Sequence, residues 1–365
     1  MQQDDQQSPG YDYEPPGVDH RALPVSVQLT NYEEYFLRGV FGQGGSSVVF
    51  RVRDRNGHQY AAKVLTEKAS RHSIQRELET YQRSAQNPHI NLLTLHLSEK
   101  LLNPSPGYRD DVFITEACGP SIKDIMMRAK RDIGNVQSPT FSINAIKSIG
   151  RQVGEALFHL EKLKIYHLDI KSANVTFMST VKYDVDTNLA QPSITMNDLQ
   201  IKLIDYGNSL PHSTPGIPEI YKLVQPQNLR APEIFMGIPH SEKTDVWSMG
   251  CLMGQMYLGK LIFMSRTGAT QIEIQQSQFE LIVNRMNATI PEEMIEMSRQ
   301  GRKCTLDLNF LTNRDGNNHQ DFLLNLMRDM SDLPLFEFLL FVLVFNPVER
   351  PSFEELLNHK FLANC

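Results

Sequence analysis

Four residues capable of joint chemistry stand in the order Asp169, Lys171, Asn174 and Asp205, inside "HLDIKSAN" (His167 to Asn174) and "LIDYG" (Leu203 to Gly207). These residue types suit the transfer of a phosphoryl group. That reaction asks little covalent chemistry of a protein. It needs a carboxylate beside the incoming hydroxyl, cations on the phosphate oxygens and hard oxygen ligands for a metal. Asp169 is the candidate base or orienter of the hydroxyl, and Lys171 adds positive charge close to the transferred group. Asn174 and Asp205 offer oxygens suited to magnesium. The bland alternative is a turn with scattered polar residues. The strand-like segments around both motifs, "VTF" and "IKLI", argue against it.

Upstream, "FGQGGSSVVF" (Phe41 to Phe50) joins two strand-like runs. Gly42 and Gly44 permit a tight turn whose backbone amides can approach phosphate oxygens without a Cβ in the way. Gln43, Gly45, Ser46 and Ser47 complete the loop, and Val49 is the apolar residue that would cover a flat base. No Gly-Lys-Ser/Thr follows, so this is not a P-loop. A plain hairpin turn remains an equal reading of the glycines alone. Lys63 lies on the following strand in "YAAKVL", among apolar neighbours that a solvated lysine does not need. Glu77 stands on a predicted helix, where a lysine–glutamate pair would hold the ammonium toward the phosphates. Glu79 faces away.

Elements must position these groups. Residues 1–32 are polar, with "PGYDYEPPG" among them, and read as a disordered leader. From Tyr35 to Leu65, apolar alternation broken by turn signals predicts three antiparallel strands, with "RNG" as the second turn. A helix follows over "SIQRELETYQRSA". Two further strands are expected around Leu92 to His96 and Val112 to Glu116. Beyond Cys118 helices dominate, among them Ser142 to Lys162. The most apolar run, Leu333 to Phe345, is too short to span a bilayer and carries Glu337, so it reads as a buried helix. A sheet-rich first third and a helical remainder argue for an α+β chain of two lobes with a cleft between them.

Composition bounds the function classes. A hydrophobic fraction of 41% with 21% charged residues is that of an ordinary globular protein. The net charge of −6 gives no reason to expect direct nucleic-acid binding or an anionic membrane surface. The four cysteines show neither metal spacing nor a disulfide framework, which favours a reducing, intracellular setting. A monomer is expected.

With these motifs in one order, the chain resembles the eukaryotic protein kinases over residues 33 to about 363. It departs from their signature by Leu168 in place of an arginine and Tyr206 in place of a phenylalanine. "RAPE" (Arg230 to Glu233) resembles the end of an activation segment. "DVWSMG" (Asp245 to Gly250) resembles the central helix whose aspartate ties down the catalytic loop. Arg350 in "NPVERPS" is the expected buried partner of Glu233. Within the kinases the chain is similar to the CMGC group, in the branch of pre-mRNA-processing and CDC-like kinases. Its features there are "GQGGSS", "RVRD", "YLGKLIF" and "LDLNF".

The resemblance implies a bilobal kinase-like fold: a small β-rich N-lobe (33–117), a larger helical C-lobe (118–363) and an ATP cleft between. It also implies an insert at 178–198 and a group-specific insert at about 259–335. ATP and magnesium would be the cofactors. The adenine would meet Ala61 and the backbone of Glu116 to Cys118, with Thr115 guarding the pocket behind. Asp169 with Lys171 is the serine/threonine pattern, so the partner would be a protein hydroxyl, with splicing factors and a nuclear or cytoplasmic address implied by likeness. Leu168 cannot pair with a phosphate, Pro226 replaces the serine or threonine that usually bridges Asp169 and Lys171, and "PQNL" (Pro226 to Leu229) replaces an arginine- and tyrosine-containing pattern. Tyr221 is not at the usual activating position. These departures keep a second function open, a kinase-fold scaffold that binds nucleotide and partners.

Overall fold

Strand formation in the first third follows the alternation of side chains. The structure, a computed structural model, describes residues 26–135, 137–211, 224–264, 268–300, 306–308 and 319–363. They fall into two units, one of residues up to Ile74 with Thr94–Ala117, the other of Gln75–Leu93 with the chain from Cys118 on.

The first unit holds β1 (Ser26–Gln28), β2 (Glu34–Gln43), β3 (Ser47–Arg53), β4 (Gln59–Thr66), β5 (Leu95–Lys100) and β6 (Tyr108–Glu116). They form one antiparallel sheet in the order β1-β2-β3-β4-β6-β5. Along β3, Val48, Phe50 and Val52 are buried while the residues between them are half-buried, so every second side chain enters the core. Val40, Ala62, Val64, Val112 and Ile114 complete that core from the neighbouring strands. The helix α1 (Arg71–Gln86) contains the boundary between the units.

Two expectations are corrected here. The leader does not extend to residue 32, because β1 pairs with β2 and Leu29 is fully buried; residues 1–25 lie outside the described residues. The strand expected from Leu92 begins at Leu95, because Leu92 instead bridges Leu203 in the second unit.

The second unit runs through α2 (Ile122–Asp132), β7 (Thr140–Phe141), α3 (Ile143–Lys162), β8 (Ile165–Tyr166), β9 (Val175–Phe177), β10 (Tyr183–Asp186), β11 (Ser193–Met196), β12 (Ile201–Leu203) and β13 (Leu210–Pro211). Then come α4 (Pro232–Phe235), α5 (Glu242–Leu258), α6 (Gln271–Met286), α7 (Glu292–Gln300), α8 (His319–Leu324), α9 (Leu333–Val342), α10 (Phe353–Asn358) and α11 (Lys360–Ala363). Ser142 caps α3 by accepting from the Ala145 amide, and Ile146, Ile149, Val153, Leu157 and Leu160 bury one face. The helix α5 is buried on nearly every side. A Cβ on Gly250 would lie 2.8 Å from side-chain carbons of Val342 and Leu343, so glycine there lets α9 lie directly on α5. The apolar run from Leu333 is the helix α9, as its composition predicts.

The segment 178–198 folds as the β10–β11 hairpin, and β11 adds in parallel to β7 to make a three-stranded sheet. Within 259–335 stand α6, α7 and α8. Residues 212–223, which include Tyr221, lie outside the described residues, as do Cys304 and Cys365.

Candidate active site

Two short ladders hold the chemistry-bearing loops of the second unit. The strands β9 and β12 pair with Val175 opposite Leu203, and β8 and β13 pair with Tyr166 opposite Leu210. The loop from His167 to Asn174 and the turn from Ile204 to Ser209 therefore leave the ladders side by side. They are joined by the Ile204 amide donating to the Asn174 carbonyl (3.0 Å) and by Ser209 Oγ donating to the His167 carbonyl (3.4 Å).

The loop is tied down from below. Asp245 on α5 accepts the backbone amides of His167 (2.7 Å) and Leu168 (2.8 Å). Leu168 is held at φ 60°, a left-handed conformation that costs a branched residue on the order of 1–2 kcal/mol. Asp205 shares that strain at φ 67°. Such strain persists only where surrounding bonds over-determine it, and here it aims two carboxylates. Leu168 is buried, so the side chain in the arginine's place serves packing.

Burial pushes the Asp245 carboxyl up to about 7, although the two amide bonds act the other way. In the unfolded chain the same carboxyl titrates near pH 4. Between about pH 4 and 7 the native state thus holds more protons than the unfolded state, and this group's contribution to stability falls as pH rises. Denaturation midpoints of wild type and Asp245→Asn should draw together between pH 5 and 7.5. A constant gap would contradict a buried titration at this position.

Asp169 is almost wholly buried. Its Oδ2 accepts from Lys171 Nζ (2.7 Å), Asn174 Nδ2 (3.0 Å) and Asn208 Nδ2 (3.3 Å). Its Oδ1 has no hydrogen-bond partner among the described residues. Asn174 Nδ2 also donates to the Asp169 carbonyl (2.8 Å), which turns its own carbonyl oxygen away from Asp169. Asp205 accepts from the Gly207 amide. The tyrosine that replaces phenylalanine is fully buried, with its hydroxyl accepting from the Leu93 amide (3.1 Å) and its ring edge-on to Tyr81. Two separate segments are thus brought together: the loop bearing Asp169, Lys171 and Asn174, and the turn bearing Asp205 some thirty residues on. Asn208 was missed. It directly follows the "DYG" read in the sequence, but an exposed asparagine in a turn carries no signal of its own.

Pro226 opens a short 3₁₀ turn and makes no side-chain capping bond. The preceding Gln225 carries the local order: its Oε1 accepts the Ala231 amide (2.9 Å) and its carbonyl accepts Arg230 Nη2 (3.0 Å). Glu233 and Arg350 form the expected pair, with both side chains fully buried.

In the first unit, strand register settles which residues share a face. Val49 lies opposite Lys63, Lys63 opposite Phe113, and Ala61 opposite Thr115. Directly opposed residues point the same way. Val49, Ala61, Lys63 and Thr115 therefore occupy the face opposite the Val48–Phe50–Val52 core. At the end of that face the exposed loop from Gln43 to Ser46 is closed by the Gly44 amide on the Ser47 carbonyl (2.8 Å). The Glu116 carboxylate accepts the Thr94 amide (2.7 Å). Cys118 is half-buried. Glu77 is buried on α1, whereas Glu79 pairs with Arg83 one turn on.

The family model for the protein kinase domain matches residues 35–362. The Arabidopsis thaliana serine/threonine-protein kinase AFC3 is 23% identical, covering 94% of this chain and 85% of its own. The Homo sapiens dual specificity protein kinase CLK4 is 25% identical over 60% of this chain, and the Dictyostelium discoideum serine/threonine-protein kinase prpf4B is 25% identical over 66%. The chain spans 45% of the length of the human relative and 27% of the Dictyostelium one. A crystal structure of a kinase domain superposes with a TM-score of 0.69 at 21% identity, covering 93% of this chain and 98% of that one.

Proposed function

Because the chain belongs to the protein kinase domain family, we propose that it is a serine/threonine kinase that moves the γ-phosphate of ATP onto a protein hydroxyl. The observation that supports this most is the two-sided use of Asp169. One carboxylate oxygen is saturated by Lys171 and two asparagines, and the other is left as an acceptor. Oδ1 is buried without a partner among the described residues, and a hydroxyl admitted to it would find a proton acceptor already oriented, with the nearby ammonium offsetting negative charge.

The donor set also fits magnesium. Asn174 and Asp205 offer an amide oxygen and a carboxylate, the few hard oxygens that this ion takes from a protein when substrate phosphates supply the rest. When bound, the ion would neutralise phosphate charge and orient the transferred group. In the first unit, Lys63 would meet the phosphates and Gly42 to Ser47 would cover them; Glu77, expected from the sequence as the lysine's partner, lies on α1 in the second unit. Val49, Ala61, Thr115, Glu116 and Cys118 would hold the base. Splicing factors are the proposed substrate class, by likeness to the pre-mRNA-processing kinases, with a nuclear or cytoplasmic location. Among the described residues no helix is long and apolar enough to cross a membrane.

Thermal unfolding with ATP, with and without magnesium, combined with phosphate transfer to a basic protein, tests this. Stabilisation by the nucleotide together with transfer supports the kinase; stabilisation without transfer marks a nucleotide-binding scaffold instead. Asp205→Ala should lose the magnesium-dependent part of the stabilisation and keep the fold. Undiminished magnesium dependence in that variant would remove Asp205 from the metal site.

A further inference from the structure

We infer that Asn208 is a positioning residue for the transfer: it locks the Asp169 carboxylate to the turn that carries Asp205. This rests on the kinase reading of the same site.

Of the three donors on Asp169 Oδ2, two lie on the aspartate's own loop. Lys171 and Asn174 travel with Asp169 and set its rotamer within that loop. Asn208 comes from the other segment (3.3 Å). Its position is fixed by its neighbours rather than by its own side chain, which is exposed. On one side Tyr206 is anchored in the core. On the other, the Ser209 amide donates to the Tyr206 carbonyl (2.9 Å), and Leu210 begins the ladder to β8. The backbone therefore delivers the Asn208 amide to Asp169 at little cost. The bond it makes spans the two loops on which proton acceptance and metal binding depend.

The residue type matters. A carboxamide donates to a carboxylate without cancelling its charge, as a second lysine would. An aspartate here would place like charges side by side. With Oδ2 held from across the gap, Oδ1 keeps its direction relative to Asp205 when substrate arrives, and errors of about 1 Å in such placement cost on the order of 100-fold.

The test uses the full chain with steady-state kinetics in ATP. Asn208→Ala should lower kcat by about tenfold, the worth of one modest hydrogen bond in the transition state. It should leave KM for ATP, the ATP-dependent thermal shift and the melting temperature unchanged, because the side chain is exposed and touches no core. Asn208→Gln, which keeps the amide, should recover part of the loss, and Asn208→Asp should lose more than the alanine variant. Wild-type kcat in Asn208→Ala overturns the inference alone. So does a loss that falls on KM, or an equal loss in the glutamine variant. A wild-type chain that binds nucleotide and transfers nothing overturns the kinase reading, and this inference with it.

Discussion

Asp169→Asn is expected to bind ATP and magnesium like the wild type and to turn over about 10²–10⁴ times more slowly, the range that a positioned proton acceptor contributes. The substitution is nearly isosteric. An asparagine oxygen can still accept from Lys171 and Asn174, so the loop should keep its shape. What changes is the free end. The neutral amide has lost the charge that makes Oδ1 a proton acceptor, and its NH2 group can only donate. The measurement is kcat at saturating nucleotide, with the thermal shift as the check that binding survives. A variant that retains wild-type kcat would show that Asp169 neither accepts nor orients the reacting proton. A variant that no longer binds nucleotide would show that the residue holds the site together.

The second large effect concerns the fold. Arg350→Met should destabilise the second unit by roughly 3–5 kcal/mol, because it strands a buried carboxylate. The guanidinium uses its whole donor set. Nη1 and Nη2 meet the two Glu233 oxygens (2.8 and 2.7 Å). Nε donates to the Val344 carbonyl, Nη1 also to Lys243 and Nη2 also to Phe345. Val344 and Phe345 lie just past α9, so the guanidinium also holds the chain where it leaves that helix. Burial alone would raise the Glu233 carboxyl, yet Arg350 and the Thr244 hydroxyl hold it below its usual range. Glu233→Leu combined with Arg350→Met should recover part of the loss, since the charge then disappears with its partner, while the orphaned carbonyls remain. Urea denaturation of the single and double variants reads both terms. A double variant less stable than Arg350→Met would contradict a stranded charge as the main cost.

Much of the site was legible because its residues lie in short contiguous motifs whose spacing is set by local geometry. His167 to Asn174 is one loop between two strands, so reading the strands placed the loop. The alternation of Val48, Phe50 and Val52 announced β3, and with it the register that sets Val49 against Lys63. Other features left weaker traces. The strand β1 has three residues and β7 two, too few for any period to show. The strand β10, "YDVD", alternates but carries acids, and its partner β11 gains a neighbour only through distant β7. The contact of Asn208 with Asp169 arises from tertiary placement, which no pattern around residue 208 encodes. Leu92 has the apolar character of a strand but is spent on Leu203, so composition put the start of β5 too early.

Incubating the purified wild-type chain with γ-labelled ATP, magnesium and a basic protein tests the account most directly, with the label then assigned to an amino acid. Label should appear on serine or threonine, vanish when the metal is chelated and fall at least about 100-fold in Asp169→Asn. A folded, nucleotide-binding wild type that leaves the acceptor unlabelled, or one that labels it as fast without Asp169, would contradict it.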